Sequence, residues 1–534
     1  MEKLPTELRT LIAKELPTRD ICRLQQTCKA FYDLIEGDSE LWRERLRRQC
    51  GAGVLWSSFS GCTASELRRA CTGILRFKHR YRPGNRLALP IPRLLPYNSG
   101  DDDLQAQQTQ ELNNPYPDIS ATFLVPEGRF LITLDKTQLR VWDLGPPGSL
   151  VEPCEVVRYE LNCADMMPEI ADVIVADRDT VHLLIQEYYS QPTLPQSFGI
   201  DRSEYNFGHW STFTLLHRLE IRLPGRGLHS VRELGRLCVL HSRGSEICAT
   251  QDGPIVAFGV GERVLIWGAS DSPGKSWVAS ATRTSHSTAG QDVFCHQGYA
   301  FVVDSHGLQG FELAGITHRP VGNGLVDLQY GGPDIGNIPP PLQWTHQQTF
   351  EDTFRPWASD FMLHKPVADE GPLFYDIRHP QLEIDATQRD FVSYAYVRFC
   401  FCFRPDSPSA NSLLPTKRYR TATQPCDTPH LHFALDEGVG GYIWYDCLDL
   451  GVGRGNIFVS ILEDDTDFPE ASGPDIESLG DFSEIIARPN PESTAVLNTS
   501  VCPLSGRVVV LWDRESKEDR LVEIFDLYEY SLTT

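Results

Sequence analysis

The first 80 residues repeat apolar side chains at helical spacing, and those from about 119 onward repeat them at strand spacing. Leu4, Leu8, Leu11, Ile12 and Leu16 stand at intervals of four, three, one and four, which places them within an arc of roughly 140° on one helix face. Pro5 is tolerated in a first turn, where its missing N–H has no partner to lose. Pro17 ends the segment, because the residue before a proline is pushed out of the α region. Thr18 is then placed to cap a second helix, with Asp20 in its first turn and Ile21, Leu24 and Cys28 along one stripe. A third piece over 28–36 carries Phe31, Leu34 and Ile35. Gly37 breaks the pattern, Asp38 or Ser39 can cap again, and Leu41, Trp42 and Leu46 mark a helix that runs out near Cys50. Leu67, Ala70, Cys71, Ile74 and Leu75 predict a fifth helix over 65–79, with Arg68, Arg69, Arg76 and Lys78 on its outer face.

After Arg86 the texture changes. Residues 87–118 are rich in Pro, Asp, Asn and Gln, which predicts an extended segment leading into a polar loop. Four later stretches share one shape: 128–145, 253–268, 298–313 and 506–527 each give a Gly, an apolar strand, a polar turn and a second strand. Residues 172–186 are a looser copy without the leading Gly. Matching hairpins at irregular spacing, with polar insertions between them, predict a β-propeller with decorated loops. A β-sandwich or two small β-domains is the alternative, and a repeat over ~400 residues is hard to fit into one sandwich. The expected layout is a small all-α domain over 1–50, a linker helix and polar linker over 51–118, and a large all-β domain over 119–534.

Composition narrows the function classes. At 534 residues the chain has room for a small domain and a large one, and 41% hydrophobic content with a mean hydropathy of −0.28 is that of an ordinary folded protein. No apolar run approaches the ~18 residues needed to cross a bilayer, and no membrane partner is expected. Glu2, Lys3, Glu7 and Arg9 interrupt the amino terminus, which lacks the h-region of a signal peptide, so the expected location is intracellular, cytoplasmic or nuclear or both. The 15 cysteines show no framework spacing, and such a chain would keep them reduced. A net charge of −23 argues against a nucleic-acid surface, but the sign is uneven: residues 1–93 hold 18 Lys and Arg against 10 Asp and Glu, the rest 31 against 62. The basic stretches 43–48 and 76–82 read as solvated faces, or as a surface that steers association with an acidic partner.

Candidate chemistry is mostly declined. Cys400 and Cys402, with Cys426, His430 and His432, come nearest to a zinc set, but alternation in FVSYAYVRFCFCF puts Phe399, Phe401 and Phe403 on the other face of what reads as a core strand. GVGRG at 451–455 lacks the spacing and βαβ context of a phosphate loop. EDDTD at 463–467 lacks the alternate-position oxygens of a calcium loop and reads as an acidic loop. Neither Gly-x-Ser-x-Gly nor His-Glu-x-x-His occurs, so no catalytic residue, metal or cofactor is assigned.

The order Leu4-Pro5-x-Glu7-Leu8, Ile12, Leu16-Pro17, Asp20-Ile21, Leu24, Cys28-Lys29, Leu34-Ile35 and Leu41-Trp42-Arg43 resembles an F-box, against the plainer reading of a helical bundle opening a domain. The resemblance implies a three-helix motif that docks on the Skp-family adaptor of a cullin-based ubiquitin ligase. It implies adaptor contacts from Leu4, Pro5, Leu8, Ile12, Leu16, Pro17, Ile21 and Leu24, and packing within the motif by Cys28, Phe31, Leu34, Leu41 and Trp42. The body is similar to WD-type propellers more weakly: LRVWDL at 139–144 ends a strand in Trp-Asp, while LWD at 511–513 stands in the wrong strand of its hairpin. Together the two parts resemble large fungal F-box proteins with degenerate propellers. That implies a non-catalytic substrate receptor, which binds the adaptor at one end and an unidentified protein substrate at the other. A scaffold that binds the adaptor without directing degradation is the alternative, and an enzyme acting on a small ligand or glycan is a third reading.

Overall fold

The computed structural model describes residues 4–50, 55–80, 92–96 and, with gaps, 119–526; between 361 and 496 it gives backbone path and pairing, with side chains at Phe401 and Phe403 alone. All five expected helices form: α1 (Thr6–Glu15), α2 (Thr18–Gln25), α3 (Lys29–Glu36), α4 (Ser39–Cys50) and α5 (Ala64–Arg80). Both Leu-Pro pairs start helices. Pro5 and Pro17 precede α1 and α2 with ψ of 149° and 153°, and their carbonyls accept the first helical bonds, from Arg9 and from Asp20 and Ile21. The capping position expected of Thr18 is therefore taken by Pro17, and Thr18 is a buried first helical residue. Asp38 caps α4, its Oδ1 accepting from the Leu41 N–H at 2.9 Å. Thr63 and Glu66 form a reciprocal capping box on α5, with Glu66 Oε2 2.7 Å from Thr63 N and Thr63 Oγ1 3.3 Å from Glu66 N.

The helices enclose one core of Ala13, Ile21, Leu24, Phe31, Ile35, Leu41, Trp42, Leu46, Phe59, Leu67 and Cys71. Since α5 sends Leu67 and Cys71 into it, the helical unit extends to Arg80 and takes in part of the segment expected as a linker. The side chains of Ile74, Arg76 and Lys78, the rest of the basic stretch to Arg82 and the polar loop 97–118 lie outside the described residues.

The β region is a ring of seven sheets among the described residues, each built on four antiparallel strands. Blade one is Ala121–Leu124, Phe130–Leu134, Gln138–Asp143 and Cys154–Glu160; blade two Glu169–Asp177, Thr180–Ser190, Ser211–Arg222 and Ser230–Ser242; blade three Ile247–Asp252, Ile255–Val260, Arg263–Gly268 and Trp277–Thr282. Blade four is Asp292–His296, Tyr299–Asp304, Gly307–Glu312 and Leu342–Thr345; blade five Phe361–His364, Leu373–Ile384, Asp390–Cys402 and Ser412–Thr421; blade six His430–Asp436, Val439–Leu448, Asn456–Glu463 and Glu484–Ala487. Blade seven joins Ser493–Cys502, Arg507–Arg514 and Arg520–Asp526 to Arg93–Leu94 from the other end of the chain. The first strands of successive blades touch in a closed circuit that returns from Ser493–Cys502 to Ala121–Leu124, which makes the region a propeller.

Four of the five repeated stretches are the second and third strands of blades one, three, four and seven. Their leading glycines, Gly128, Gly253, Gly298 and Gly506, have φ of 80°, 52°, 78° and 66° and turn the first strand into the second, a conformation open to Gly at no steric cost. The copy at 172–186 covers the first and second strands of blade two and so lies one strand out of phase. VVVLW is a continuous apolar run, and FLITL is one interrupted only by the buried Thr133, because both faces are covered. In blade one Leu131 and Trp142 pack on Val509, Leu511 and Val522 of blade seven, while Phe130, Ile132 and Val141 pack with Val173, Val181 and Leu183 of blade two. Trp142 sits in a third strand and donates to Thr133 Oγ1 at 3.0 Å; Trp512 sits in a second strand and donates to Glu523 at 2.8 Å. Phe401 and Phe403 are core residues as expected, edge-on to Phe301 of blade four at 5.6 and 5.1 Å between ring centres.

The irregular interval after 313 has a topological cause. Between the third and fourth strands of blade four the chain runs back along the ring, adding Arg319–Pro320 and Gly336–Asn337 to the outer strand of blade three and Leu325–Asp327 to that of blade two. Glu477–Ser478 leaves blade six for the outer strand of blade five in the same way. These additions occupy edge N–H and C=O groups that would otherwise offer pairing to another chain.

Ring closure is ionic as well as sheet-like. Asp526 accepts from Arg93 at 2.7 Å and from the fully buried Arg507 at 2.6 Å, and Arg507 also donates to the blade-one carbonyls of Gly128 and Gly145. Burial pushes the Asp526 carboxyl up, but the two guanidinium groups more than offset it and leave it below the ordinary range.

Candidate adaptor-docking face

The exposed apolar side chains of the head concentrate on α1. Leu8, Leu11 and Ile12 are 46%, 56% and 37% exposed and fall within about 100° of one helix face, while Ala13 turns into the core. Pro5 is exposed at the start of this face, and Leu4, Leu16 and Pro17 are half-buried along it. Arg48 ties α1 to α4, 3.6 Å from Glu15 and 3.4 Å from Glu44. The strip therefore stands on a supported helix.

Two of the expected contact residues lie elsewhere. Ile21 and Leu24 face the core, because α2 is clamped against α3 and α5: Gln25 donates to Glu36 Oε2 at 2.6 Å and Arg68 pairs with the same carboxylate. Phe31, Leu41 and Trp42 are buried as expected, Cys28 and Leu34 pack half-buried against the same cluster, and Trp42 Nε1 donates to Ile35 O at 2.9 Å. Leu11 belongs to the exposed face although the family pattern does not single it out; its place in the helical arc was the signal. Tyr32 on α3 is 49% exposed, and nothing in the spacing marked it.

Burial pushes the Cys22 thiol up, with Arg68 drawing it partly back, so it is no ready thiolate. Among the described residues no three His, Cys, Asp or Glu are grouped to hold a metal ion, and no helix is long and apolar enough to cross a membrane. GVGRG, Cys426 and nearly all of EDDTD, with the side chains of Cys400, Cys402, His430 and His432, lie outside the described residues.

No curated protein sequence matches the chain. Among solved structures, the WD40 domain of SCAP from fission yeast matches at 9% identity over 77% of this chain and 82% of its own, with a TM-score of 0.31. The N-terminal domain of Nup159 matches at 8% identity over 77% and 90%, TM-score 0.33, and the first two extracellular domains of Drosophila Semaphorin 1a at 8% over 77% and 86%, TM-score 0.35. Scores this low decide nothing, and the propeller rests on its own closed circuit of strands. The F-box-like family model matches residues 1–48, which span α1 to α4 almost entirely: the chain carries an F-box-like domain ahead of its large β domain.

Proposed function

We propose that the protein is the substrate receptor of an SCF-type ubiquitin ligase. The F-box-like head binds a Skp-family adaptor, and through it a cullin, while the propeller holds a protein substrate. The observation that carries this is the strip Leu8, Leu11 and Ile12, which a folded head with its own closed core leaves in solvent. Full burial of a Leu or Ile side chain contributes about 1.5–3 kcal/mol, and about half of that is still to be gained at each of these three partly covered residues, enough together to anchor a partner helix or groove. The receptor supplies proximity: it raises the effective concentration of substrate lysines near the charged ubiquitin carrier.

The test replaces Leu8 and Ile12 with Asp and measures capture of purified Skp-family adaptor. The expected loss is at least tenfold in affinity, by the area rule for the 46% and 37% of the two side chains that docking can still cover, with the cost of burying two carboxylates on top. Undiminished capture would remove the docking face from the proposal. Loss of capture with unchanged substrate turnover in cells would favour the scaffold reading.

A further inference from the structure

A short turn over 55–59 seats the head on the propeller. Leu55 is buried in the apolar cluster shared by blades one and two, with Val125, Phe130, Val181 and Leu223, whereas Phe59 is buried in the core of the head. Between them, Ser57 N donates to Arg178 O at 2.9 Å and Ser57 Oγ to Leu223 O at 2.6 Å. Ser58 Oγ donates to Glu127 Oε1 at 2.9 Å, and Arg129, held by Asp143 at 2.7 and 2.9 Å, donates to Ser58 O at 3.2 Å. Beside the turn an open cleft of about 1170 Å³ separates Arg43 and Arg47 of α4 from Asp177, Arg178 and Asp179 of blade two, so this stretch of the head is seated by the turn and not by a broad face.

Glu127 is the unusual member of this joint. It is fully buried, its φ of 111° is one that non-glycine residues rarely adopt, and its Oε2 has no hydrogen-bond partner among the described residues. Cys502 of blade seven holds it from behind, its Sγ accepting from Glu127 N at 3.3 Å. An acid in a strained backbone position, at the contact of head, blade one and blade seven, is costly to the fold unless its interaction with the turn has a use.

We propose that Ser58 and Glu127 form a charge-gated latch: the head stays docked while the pair is neutral, and negative charge placed on either member releases it. Burial supports the neutral state, because it pushes the Glu127 carboxyl well above the ordinary range despite the bonds from Ser58 and the backbone N–H groups of Leu55 and Arg129 and the nearby Arg129 charge. The groups that face the carboxyl are Ser58 from the turn, Arg129 from blade one and the Cys502 thiol from blade seven, itself pushed up by burial; Asp143 is taken by Arg129. None of these supplies a free cation to hold a second carboxylate. If the receptor reading is right, release would free the adaptor end to swing relative to the substrate end, so the latch would govern transfer without governing binding.

The experiment introduces Ser58→Asp into the full chain and follows chymotrypsin cleavage after Leu55, Trp56 or Phe59, alongside adaptor capture. The latch predicts at least tenfold faster cleavage with capture kept within twofold, and it predicts that Glu127→Gln added to Ser58→Asp restores most of the protection, because the Gln amide can donate to the new carboxylate. Glu127→Gln alone should remain docked, and wild type should cleave faster as pH rises from neutral to alkaline relative to an unfolded control peptide while Glu127→Gln does not. Wild-type resistance in Ser58→Asp, or no rescue by Glu127→Gln, overturns the latch. If Ser58→Asp loses capture through misfolding, the pH series decides: protection lost with rising pH in wild type and kept in Glu127→Gln supports the latch, and a profile shared by the two rejects it. A wild-type chain that fails to capture the adaptor sinks the receptor reading but leaves the cleavage result standing.

Discussion

The helical head and the propeller solve the same packing problem in opposite ways. The head encloses a small core around Trp42 and leaves a contiguous apolar face on α1 in water; blades one and seven cover both faces of their strands, and the exposed large apolar residues of the β region, among the described residues Leu94, Val151, Leu228, Leu342 and Leu497, are scattered along the chain. Scattered apolar residues need no explanation, whereas a clustered strip does. The contrast teaches that, among the described residues, the apolar surface left for a partner of the head is gathered on one helix.

The largest effects should separate the two regions. Replacing Asp526 with Ala strands Arg507, a fully buried guanidinium, and should cost about 3–5 kcal/mol. The propeller transition in calorimetry should fall steeply while adaptor capture by the head persists; simultaneous loss of both would mean that the regions fold as one unit. Trp42→Ala should cost a similar ~3–5 kcal/mol on the other side of the divide, abolishing adaptor capture with the propeller transition intact. Gly128→Ala comes next: the backbone is at φ 80° and a Cβ there would stand 2.0 Å from Ser505 Oγ, so a loss of roughly 2 kcal/mol or more in the propeller transition is expected.

An acid-sensitive site sharpens the comparison from the propeller side. His182 of blade two, with a side chain 15% exposed, is pushed down to about 4, chiefly by burial and then by the Arg218 charge; Glu220 opposes the shift and Arg232 adds to it. A folded-state value below the unfolded one means that the unfolded chain binds the proton first. The contribution of His182 to stability is therefore present above pH 6.5 and is lost as pH falls from 6.5 towards 4, up to about 3 kcal/mol by the one-unit rule. Urea midpoints of the propeller measured across that window should show a decline that His182→Gln removes. A decline of the same size in the variant would assign it to other groups.

How much of this was legible depended on where the determinants lie. The existence of α1 and α2, the break at Gly37 and the second-and-third-strand hairpins are set by neighbouring residues, and spacing alone recovers them, although it assigns to Thr18 the cap that Pro17 takes. The orientation of α2 is not local: Ile21 and Leu24 belong to the same apolar stripe whether it faces a partner or α5, and Gln25 and Arg68 meeting on Glu36 decide the matter. The run back over blades three and two, and the strand Arg93–Leu94 that joins Ile524 and Glu523, pair residues far apart in sequence, so no window along the chain contains their signal. The same holds for the seat of Ser58 on Glu127, a contact across 69 positions.

The smallest expected effect is the most direct test of the contrast. Leu8 and Leu11 each keep about half of their surface in water, so truncating both gives up little folding free energy. Leu8→Ser with Leu11→Ser should move the head transition by less than about 0.5 kcal/mol per site, whereas a buried leucine truncated in a core costs about 2–5 kcal/mol. The same pair should weaken adaptor capture at least tenfold, because only the complex covers that surface. Stability that falls together with capture would show the strip to be part of the head's own core. Capture that survives with stability unchanged would move the docking surface off α1, towards Tyr32 on α3.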